Sequence, residues 1–273
     1  MSSINFLEEI KTMRFNDIKS YVRGFISLKD VSRYESDYEL IYQILSEDHR
    51  KNVRALGETV KKHVEHYKSE YIRVKKLYDF DKSYGYDIVA GVDEVGRGPL
   101  AGPIVAAAVI LDNNSKDLIL RINDSKKLTK EVREELSDII KNEALSYSIA
   151  LKTNNEIDIE GIGFCNNEIF KVAVDGLKVT PDIVLSDGYT IREFHLRNEA
   201  VIKGDTKSAA IACASIIAKV YRDNIMEEYS EKYTQYHFDK NVGYGTKEHI
   251  DAIINHGSCS IHRESFLKNI INK

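Results

Sequence analysis

The stretch from Ile88 to Leu111 limits what this chain can fold into more than any other. Ile88-Val89-Ala90-Gly91-Val92 is an apolar, strand-like run that delivers two adjacent acids, Asp93 and Glu94. Three glycines (Gly96, Gly98, Gly102) and two prolines (Pro99, Pro103) follow, and a second apolar run, Ile104 to Leu111, then leaves. Proline bars a helix through such a segment, and glycine lets the backbone turn sharply. The expectation is two strands joined by a stiff, turning connection, able to pair antiparallel. Neighbouring side chains of a strand point to opposite faces. Asp93 and Glu94 therefore share one site if the chain turns where they stand, which Gly96 and Gly98 permit. The chemistry of the chain is expected here.

Residues 1 to about 85 read as a charge-rich helical extension, and 86–273 as a second, larger domain. Ser36-Asp37-Tyr38-Glu39 fits a capping box ahead of Leu40, Ile41, Ile44 and Leu45. A long helix is predicted from about Asp48 to Tyr78, with Val53, Leu56, Val60, Val64, Tyr67, Tyr71, Val74 and Tyr78 forming one apolar stripe at alternating three and four spacing. Lys61, Lys62, Lys68, Arg73, Lys75 and Lys76 lie between them. They form either a solvated face or a basic helix that helps hold nucleic acid. Phe80 to Tyr86 reads as a linker. Beyond it strand-like runs (88–92, 104–111, 146–152, 182–185, 200–203) alternate with helical patterns at 130–144, 168–178, 209–233 and 247–255, the last with Thr246 as N-cap and Gly257 as stop. Strands interleaved with helices predict an α/β domain with a mixed sheet.

The 273 residues are 42% hydrophobic and 30% charged, enough for a sizeable core and too polar for a membrane protein. The longest apolar run falls far short of the roughly 20 residues needed to span a bilayer. Met1 to Glu9 has no basic n-region and no long apolar stretch, so no secretion signal is expected. Three scattered cysteines, Cys165, Cys213 and Cys259, suit a reducing cytoplasm and offer no C-x-x-C pair for zinc. The formal net charge of −4 does not point to nucleic acid, although the field over a cleft, not the total, governs phosphate binding.

Two more acids stand at strand ends. Asp187 closes the run Asp182-Ile183-Val184-Leu185-Ser186 and precedes Gly188, and Asp205 follows Val201-Ile202-Lys203-Gly204 ahead of a helix. Taken singly, Asp187 also fits a turn residue and Asp205 a helix cap. If Asp93, Glu94, Asp187 and Asp205 gather, four carboxylates in one cleft repel and call for a cation. Hard divalent ions take oxygen ligands, and two of them about 4 Å apart can drive phosphodiester cleavage. The absence of H-E-x-x-H and of a His/Cys set disfavours zinc.

Gly91-Val92-Asp93-Glu94-Val95-Gly96-Arg97-Gly98-Pro99-Leu100-Ala101-Gly102-Pro103 closely resembles the signature of bacterial ribonuclease HII. The similarity continues in order through Asp124-Ser125-Lys126-Lys127-Leu128, Ser186-Asp187-Gly188, Lys203-Gly204-Asp205, Ala212 to Asp223, Gly243 to His249, and His262-Arg263 with Ser265-Phe266. It covers about residues 87–267. The resemblance implies a ribonuclease H-like fold, a mixed five-stranded sheet flanked by helices. It implies endonucleolytic cleavage of the RNA strand of RNA/DNA hybrids and beside ribonucleotides embedded in duplex DNA, leaving 5′-phosphate and 3′-hydroxyl ends. Asp93, Glu94, Asp187 and Asp205 would hold Mg²⁺ or Mn²⁺ and be catalytic. Gly96, Arg97 and Gly98 would sense the ribose 2′-hydroxyl, the group that separates RNA from DNA. Tyr244 would pack on the sugar at the RNA–DNA junction, and Lys126 and Lys127 would contact phosphates. Without the resemblance, Tyr244 also fits a half-buried core tyrosine and the lysines a solvated surface. A cytoplasmic monomer is expected.

Residues 159–166 depart from the family's usual pattern, which leaves the start of the following helix open. The N-terminal extension is longer than in minimal members and, with Arg50-Lys51, resembles that of some Gram-positive homologues. Ribonuclease HIII usually has Gly-Thr-Gly in place of Gly96-Arg97-Gly98 and a β-rich N-terminal platform, so both features favour the HII type. A catalytically dead nucleic-acid scaffold is set against the presence of all four acids. A nucleotide-binding enzyme lacks its G-x-x-x-x-G-K-S/T loop.

Overall fold

The computed structural model describes residues 9–10, 12–28, 30–112 and 117–271. The signal-free reading of the N-terminus therefore lies, up to residue 8, outside the described residues. The chain divides into two compact units, Met1–Arg73 and Val74–Lys273.

The first unit is helical, as predicted. Helices α1 (Phe15–Leu28) and α2 (Glu35–Glu47) join the first part of α3 (Lys51–Lys82). Ile18, Val22 and Phe25 of α1 and Tyr38, Ile41 and Leu45 of α2 recur at helical spacing and are buried with Val53 and Val60 of α3. Arg50 closes this core. Its guanidinium pairs with Asp48 at 2.7 Å and donates to the carbonyls of Met13 and Ile10 at 2.8 and 3.0 Å. The predicted capping box is corrected. Helix α2 begins at Glu35 with Tyr34 as N-cap and no side-chain cap, so Ser36 already lies within the first turn. Among the described residues, three of the six basic residues named on α3 are paired, Lys68 with Glu35 of α2 at 2.6 Å, Arg73 with Glu70 at 2.7 Å and Lys75 with Asp79 at 2.7 Å.

Helix α3 continues to Lys82, three residues into the stretch read as a linker. Its last turns have partners that local sequence does not show. Val74, Leu77 and Tyr78 are buried in the core of the second unit.

That core is built on a five-stranded sheet of order β3-β2-β1-β4-β5. The strands are β1 (Val89–Val95), β2 (Ile104–Ile110), β3 (Ser146–Lys152), β4 (Ile183–Asp187) and β5 (Asn198–Val201). β1 pairs antiparallel with β2, and β2 with β3, while β4 runs parallel to both β1 and β5. The mixed sheet and the antiparallel first pair are as predicted. Helices α4 (Lys130–Glu143), α5 (Asn154–Glu160), α6 (Ile162–Asp175), α7 (Ala209–Lys232), α8 (Phe238–Asn241), α9 (Lys247–His256) and α10 (Glu264–Ile271) complete the unit. Alternation along β2 sorts its side chains. Val105, Ala107 and Val109 pack with Ala212, Cys213 and Ile216 of α7, and Ala106, Ala108 and Ile110 with Ile169, Phe170 and Ala173 of α6. Helix α7 lies so close to β1 that a Cβ on Gly91 would fall 2.2 Å from the Ala210 backbone.

Two further boundaries differ from the sequence reading. The helix placed at 168–178 is α6, which starts six residues earlier at Ile162 and ends at Asp175, and a separate helix, α5, precedes it and is broken off at Gly161 with φ 84°. The start of α5 was legible as a capping box, since Thr153 caps Glu156 and Glu156 returns the bond. β5 spans 198–201 rather than 200–203, because Lys203 turns into the left-handed region at φ 56°.

Candidate active site

The sheet sets the positions of the acids. β1 and β4 run parallel with Val92 opposite Ser186, so Asp93, Glu94 and Asp187 share one sheet end. The chain does not turn at the acid pair as expected. β1 continues to Val95, opposite Val105 of β2, and outruns its parallel partner. Asp93 and Glu94 leave opposite faces of a strand flanked on one side by the end of β4, which lets both reach the same edge. Asp205 sits in a 3₁₀ turn, Gly204–Thr206, after β5. The Gly204 N–H donates to Asp187 Oδ1 at 2.7 Å and ties that turn to β4. The helix-cap alternative for Asp205 falls away, since the N-cap of α7 is Ser208, whose side chain accepts from the Ile211 N–H.

The acids repel. Burial, then Glu94 and Asp187, pushes the Asp93 carboxyl well above the usual carboxylate range, while bonds from Ser215 and the Glu94 N–H oppose the rise. Glu94 is raised to about 7 by burial, with Arg97 pulling it down and Asp187 pushing it up. Asp205 is raised by burial, then by Asp187 and Asp124. Glu94 Oε2 is buried without a hydrogen-bond partner. An orphaned carboxylate oxygen among mutually repelling acids fits a hard divalent cation. Among the described residues no three His, Cys, Asp or Glu side chains already stand close enough to ligate one ion. A cleft of separated acids suits Mg²⁺, which takes few carboxylates and keeps waters and phosphate oxygens.

Glu94, Asp187 and Asp205 line a cavity of about 570 Å³ together with Lys127 and Asp124. Asp124 is the cavity acid that the sequence reading left without a role. Its carboxylate caps the 3₁₀ turn Ser125–Lys127 by accepting from the Lys126 N–H, and an Asp before a short polar turn was the available signal. Lys126 and Lys127 are both exposed, and Lys126 acts on Glu94 and Asp205 as a nearby positive charge. Beneath the cleft, Ser125 Oγ and Ser215 Oγ lie 3.0 Å apart.

The turn from Gly96 to Pro103 is shaped by two arginines whose role the sequence did not reveal. Arg222 and Arg263 are fully buried, and among the described residues neither forms an ion pair. Arg263 spends its guanidinium on carbonyls of this turn, and Arg222 divides its own between this turn and Val242 O, at 2.9 Å. Arg263 donates to Gly96 O at 2.6 Å, Arg97 O at 3.0 Å and Gly102 O at 2.9 and 2.8 Å. Arg222 donates to Pro103 O at 2.9 Å and Ala101 O at 3.2 Å. Burial, and for Arg263 also the charge of Arg222, pushes them down to about 10 and about 9, so both stay cationic at neutral pH. The peptides are trans, and in a planar trans peptide the N–H opposes the C=O. Carbonyls of Gly96 and Arg97 held inward on Arg263 thus direct the N–H groups of Arg97 and Gly98 outward. Gly96 has φ 95°, and a Cβ there would lie 2.3 Å from Arg222 Nε, so only glycine fits.

Tyr244 is half-exposed at 39%, and its ring lies 3.9 Å from where a Gly98 Cβ would stand. Its carbonyl is held by a histidine relay. The Cys259 N–H donates to His262 Nδ1 at 2.9 Å, which makes that nitrogen an acceptor. His262 Nε2–H then donates to His249 Nε2 at 3.1 Å, and His249 Nδ1–H to Tyr244 O at 2.9 Å. Burial lowers both histidines, His262 to about 4 with His249 as the second cause, so the relay is neutral at pH 7.

The family profile described as Ribonuclease HII matches residues 90–269, a span that contains every residue discussed above from Gly91 to Arg263. The chain belongs to the ribonuclease HII family. A ribonuclease HII of Clostridium perfringens strain SM101 is 58% identical over 269 residues, 96% of this chain and 98% of the relative. That of Clostridium beijerinckii is 54% identical over 271 residues, 98% and 100% of the two chains. The helical N-terminal stretch therefore falls within alignments to full-length relatives. The ribonuclease H2 structure from Pyrococcus horikoshii is 28% identical with TM-score 0.58 and covers 68% of this chain and 97% of its own. A ribonuclease HII from Archaeoglobus fulgidus, solved in complex with PCNA, is 27% identical with TM-score 0.57 over the same shares. The protein is thus a divalent-metal-dependent endonuclease of ribonuclease H type, a hydrolase of a family that acts on RNA/DNA hybrids. Among the described residues no helix is long and apolar enough to cross a membrane.

Proposed function

We propose that this ribonuclease HII also nicks duplex DNA at embedded ribonucleotides, leaving 5′-phosphate and 3′-hydroxyl ends. The supporting observation is the turn from Gly96 to Gly98, whose outward N–H groups stand beside Tyr244 at the edge of the acid cleft. Backbone donors on a glycine turn can approach a ribose closely, and a single 2′-hydroxyl offers the oxygen they need. A site of that size judges one sugar and does not require a run of RNA.

Asp93, Glu94, Asp187 and Asp205 would hold two divalent ions, Mg²⁺ or Mn²⁺. The chemistry those ions supply when bound is activation of the attacking water and stabilisation of charge on the leaving 3′-oxygen. Lys126 and Lys127, exposed beside the acids, would meet flanking phosphates. Arg97 and Gly98 would donate to the 2′-hydroxyl, with Gly96 giving the turn its shape. Tyr244 would pack on the neighbouring sugar, positioned through its carbonyl by His249. The protein would act as a cytoplasmic monomer. A labelled DNA duplex with one ribonucleotide, incubated with Mg²⁺ or Mn²⁺, tests the reading. A single nick on the 5′ side of the ribonucleotide is expected. Cleavage of a continuous RNA/DNA hybrid with no nick in that duplex would refute it.

A further inference from the structure

Tyr189 stands in the cleft without a role in the account above. It follows Asp187 and Gly188, and its backbone is fixed at both ends, the N–H donating to Asp187 O at 2.9 Å and the carbonyl accepting from Ser186 Oγ. Tyr189 is 55% exposed and lines the same cavity as Glu94, Asp187 and Asp205. Ile202, 72% exposed, lines it too. These two apolar groups interrupt a wall otherwise made of acids, lysines and small polar residues. The Arg97 guanidinium lies 4.7 Å from the Tyr189 ring centroid and 3.6 Å from Glu94 Oε1. The ring is therefore held by a cation in a residue that is exposed beside the cavity. Tyr244 stands elsewhere, against Gly98. Two solvent-accessible tyrosines thus meet the Gly96–Gly98 turn at different residues, Tyr189 at the Arg97 side chain and Tyr244 at Gly98.

We propose that Tyr189 is a substrate-contacting residue that stacks on a nucleotide of the cleaved strand, on the side of the scissile phosphate away from Tyr244. The proposal rests on the reading of the acid cleft as the cleavage site. A nucleotide matches this wall, since its phosphate suits Lys127 and Lys203 while its base or sugar suits an aromatic face and an aliphatic neighbour. A ring already pinned by its backbone and by a guanidinium loses little freedom on binding. Its second duty is to steady Arg97, whose backbone belongs to the turn that meets the 2′-hydroxyl.

The chain contains no tryptophan, so Tyr189→Trp in the full-length protein creates a single fluorescent reporter at this position. Adding a ribonucleotide-containing duplex, with EDTA present so that no cleavage occurs, should quench and shift its emission. An unchanged spectrum at saturating duplex, with binding verified by gel shift, would overturn the contact. Tyr189→Ala should raise KM roughly 10-fold with kcat within about two-fold, since stacking on one base is worth about 1–3 kcal/mol. Tyr189→Phe, which keeps the ring, should stay near wild type. Substrates shortened to either side of the scissile phosphate then locate the contact. On the duplex lacking nucleotides beyond the side away from Tyr244, wild type and Tyr189→Ala should converge, whereas Tyr244→Ala should remain impaired. A Tyr189→Ala loss that is equal on both shortened duplexes would overturn the assignment. Should the wild type fail to nick any duplex, the cleavage reading fails, and the fluorescence result still decides the contact.

Discussion

Arg263 offers the sharpest perturbation. Its guanidinium holds three carbonyls, those of Gly96, Arg97 and Gly102, from a fully buried position. Arg263→Lys keeps the charge but replaces a planar fork by a single ammonium that cannot span the same carbonyls. With one carbonyl retained, two lose their partner, at about 1–3 kcal/mol each. The expected loss of stability is roughly 2–6 kcal/mol, which for a chain of this size is a fall in Tm of about 5–20 °C. Thermal unfolding followed by circular dichroism measures it. The same change frees the peptides whose N–H groups are aimed outward. At a temperature where the variant is fully folded, kcat/KM on a duplex with one ribonucleotide should therefore fall roughly 100-fold, the lower end of the range seen when an oriented donor is lost. A variant with the predicted Tm but wild-type kcat/KM would refute the reasoning. Arg263 would then hold the fold without setting the turn.

Asp81 gives a pH prediction away from the cleft. Its Oδ2 accepts from the Ala210 N–H at 3.0 Å, at the start of α7, while Oδ1 is buried without a partner. Burial raises its carboxyl to about 7. The folded-state value lies above the unfolded one, so its contribution to stability is fully present below about pH 4 and is lost as pH rises toward 7, by at most roughly 4 kcal/mol. Asp81→Asn keeps the acceptor and cannot ionise, so its stability relative to wild type should climb across that window in urea titrations; a difference flat with pH would contradict this. Truncation tests the end of α3. A chain beginning at residue 86 loses the buried Val74, Leu77 and Tyr78, roughly 5 kcal/mol or more of burial, whereas one beginning at residue 74 keeps them. Equal stability of the two would show that these side chains contribute nothing.

Much of this site was legible in the sequence. Continuous apolar runs gave the strands, and acids close to a glycine marked the ends of β1, β4 and β5. Convergence of the acids was not legible, because it depends on Val92 lying opposite Ser186 across 94 residues of chain, a register that no local spacing records. The turn expected at Asp93 proved to be a strand that outruns its neighbour, since β2 keeps pairing to Val95. Arg222 and Arg263 looked like parts of charged motifs, and charge alone predicts exposure. Their burial follows from a cluster of carbonyls that only the folded turn creates. The end of α3 was placed at Tyr78, four residues short of Lys82, for the same reason, since Phe80 packs against the cluster of Val89 and Ile183, which lie on strands and not in that helix.

The central claim is that Asp93, Glu94, Asp187 and Asp205 act as one metal-holding unit. Cleavage of a single-ribonucleotide duplex, followed across a Mn²⁺ titration for Asp93→Asn, Glu94→Gln, Asp187→Asn and Asp205→Asn, tests it most directly. Folding of each variant is checked by thermal unfolding. The account predicts that every one of the four loses roughly 10³-fold or more in kcat, or needs far more Mn²⁺, as expected when metal-assisted charge stabilisation is removed. Any one of them, folded and cleaving at the wild-type rate with the wild-type Mn²⁺ requirement, would contradict it.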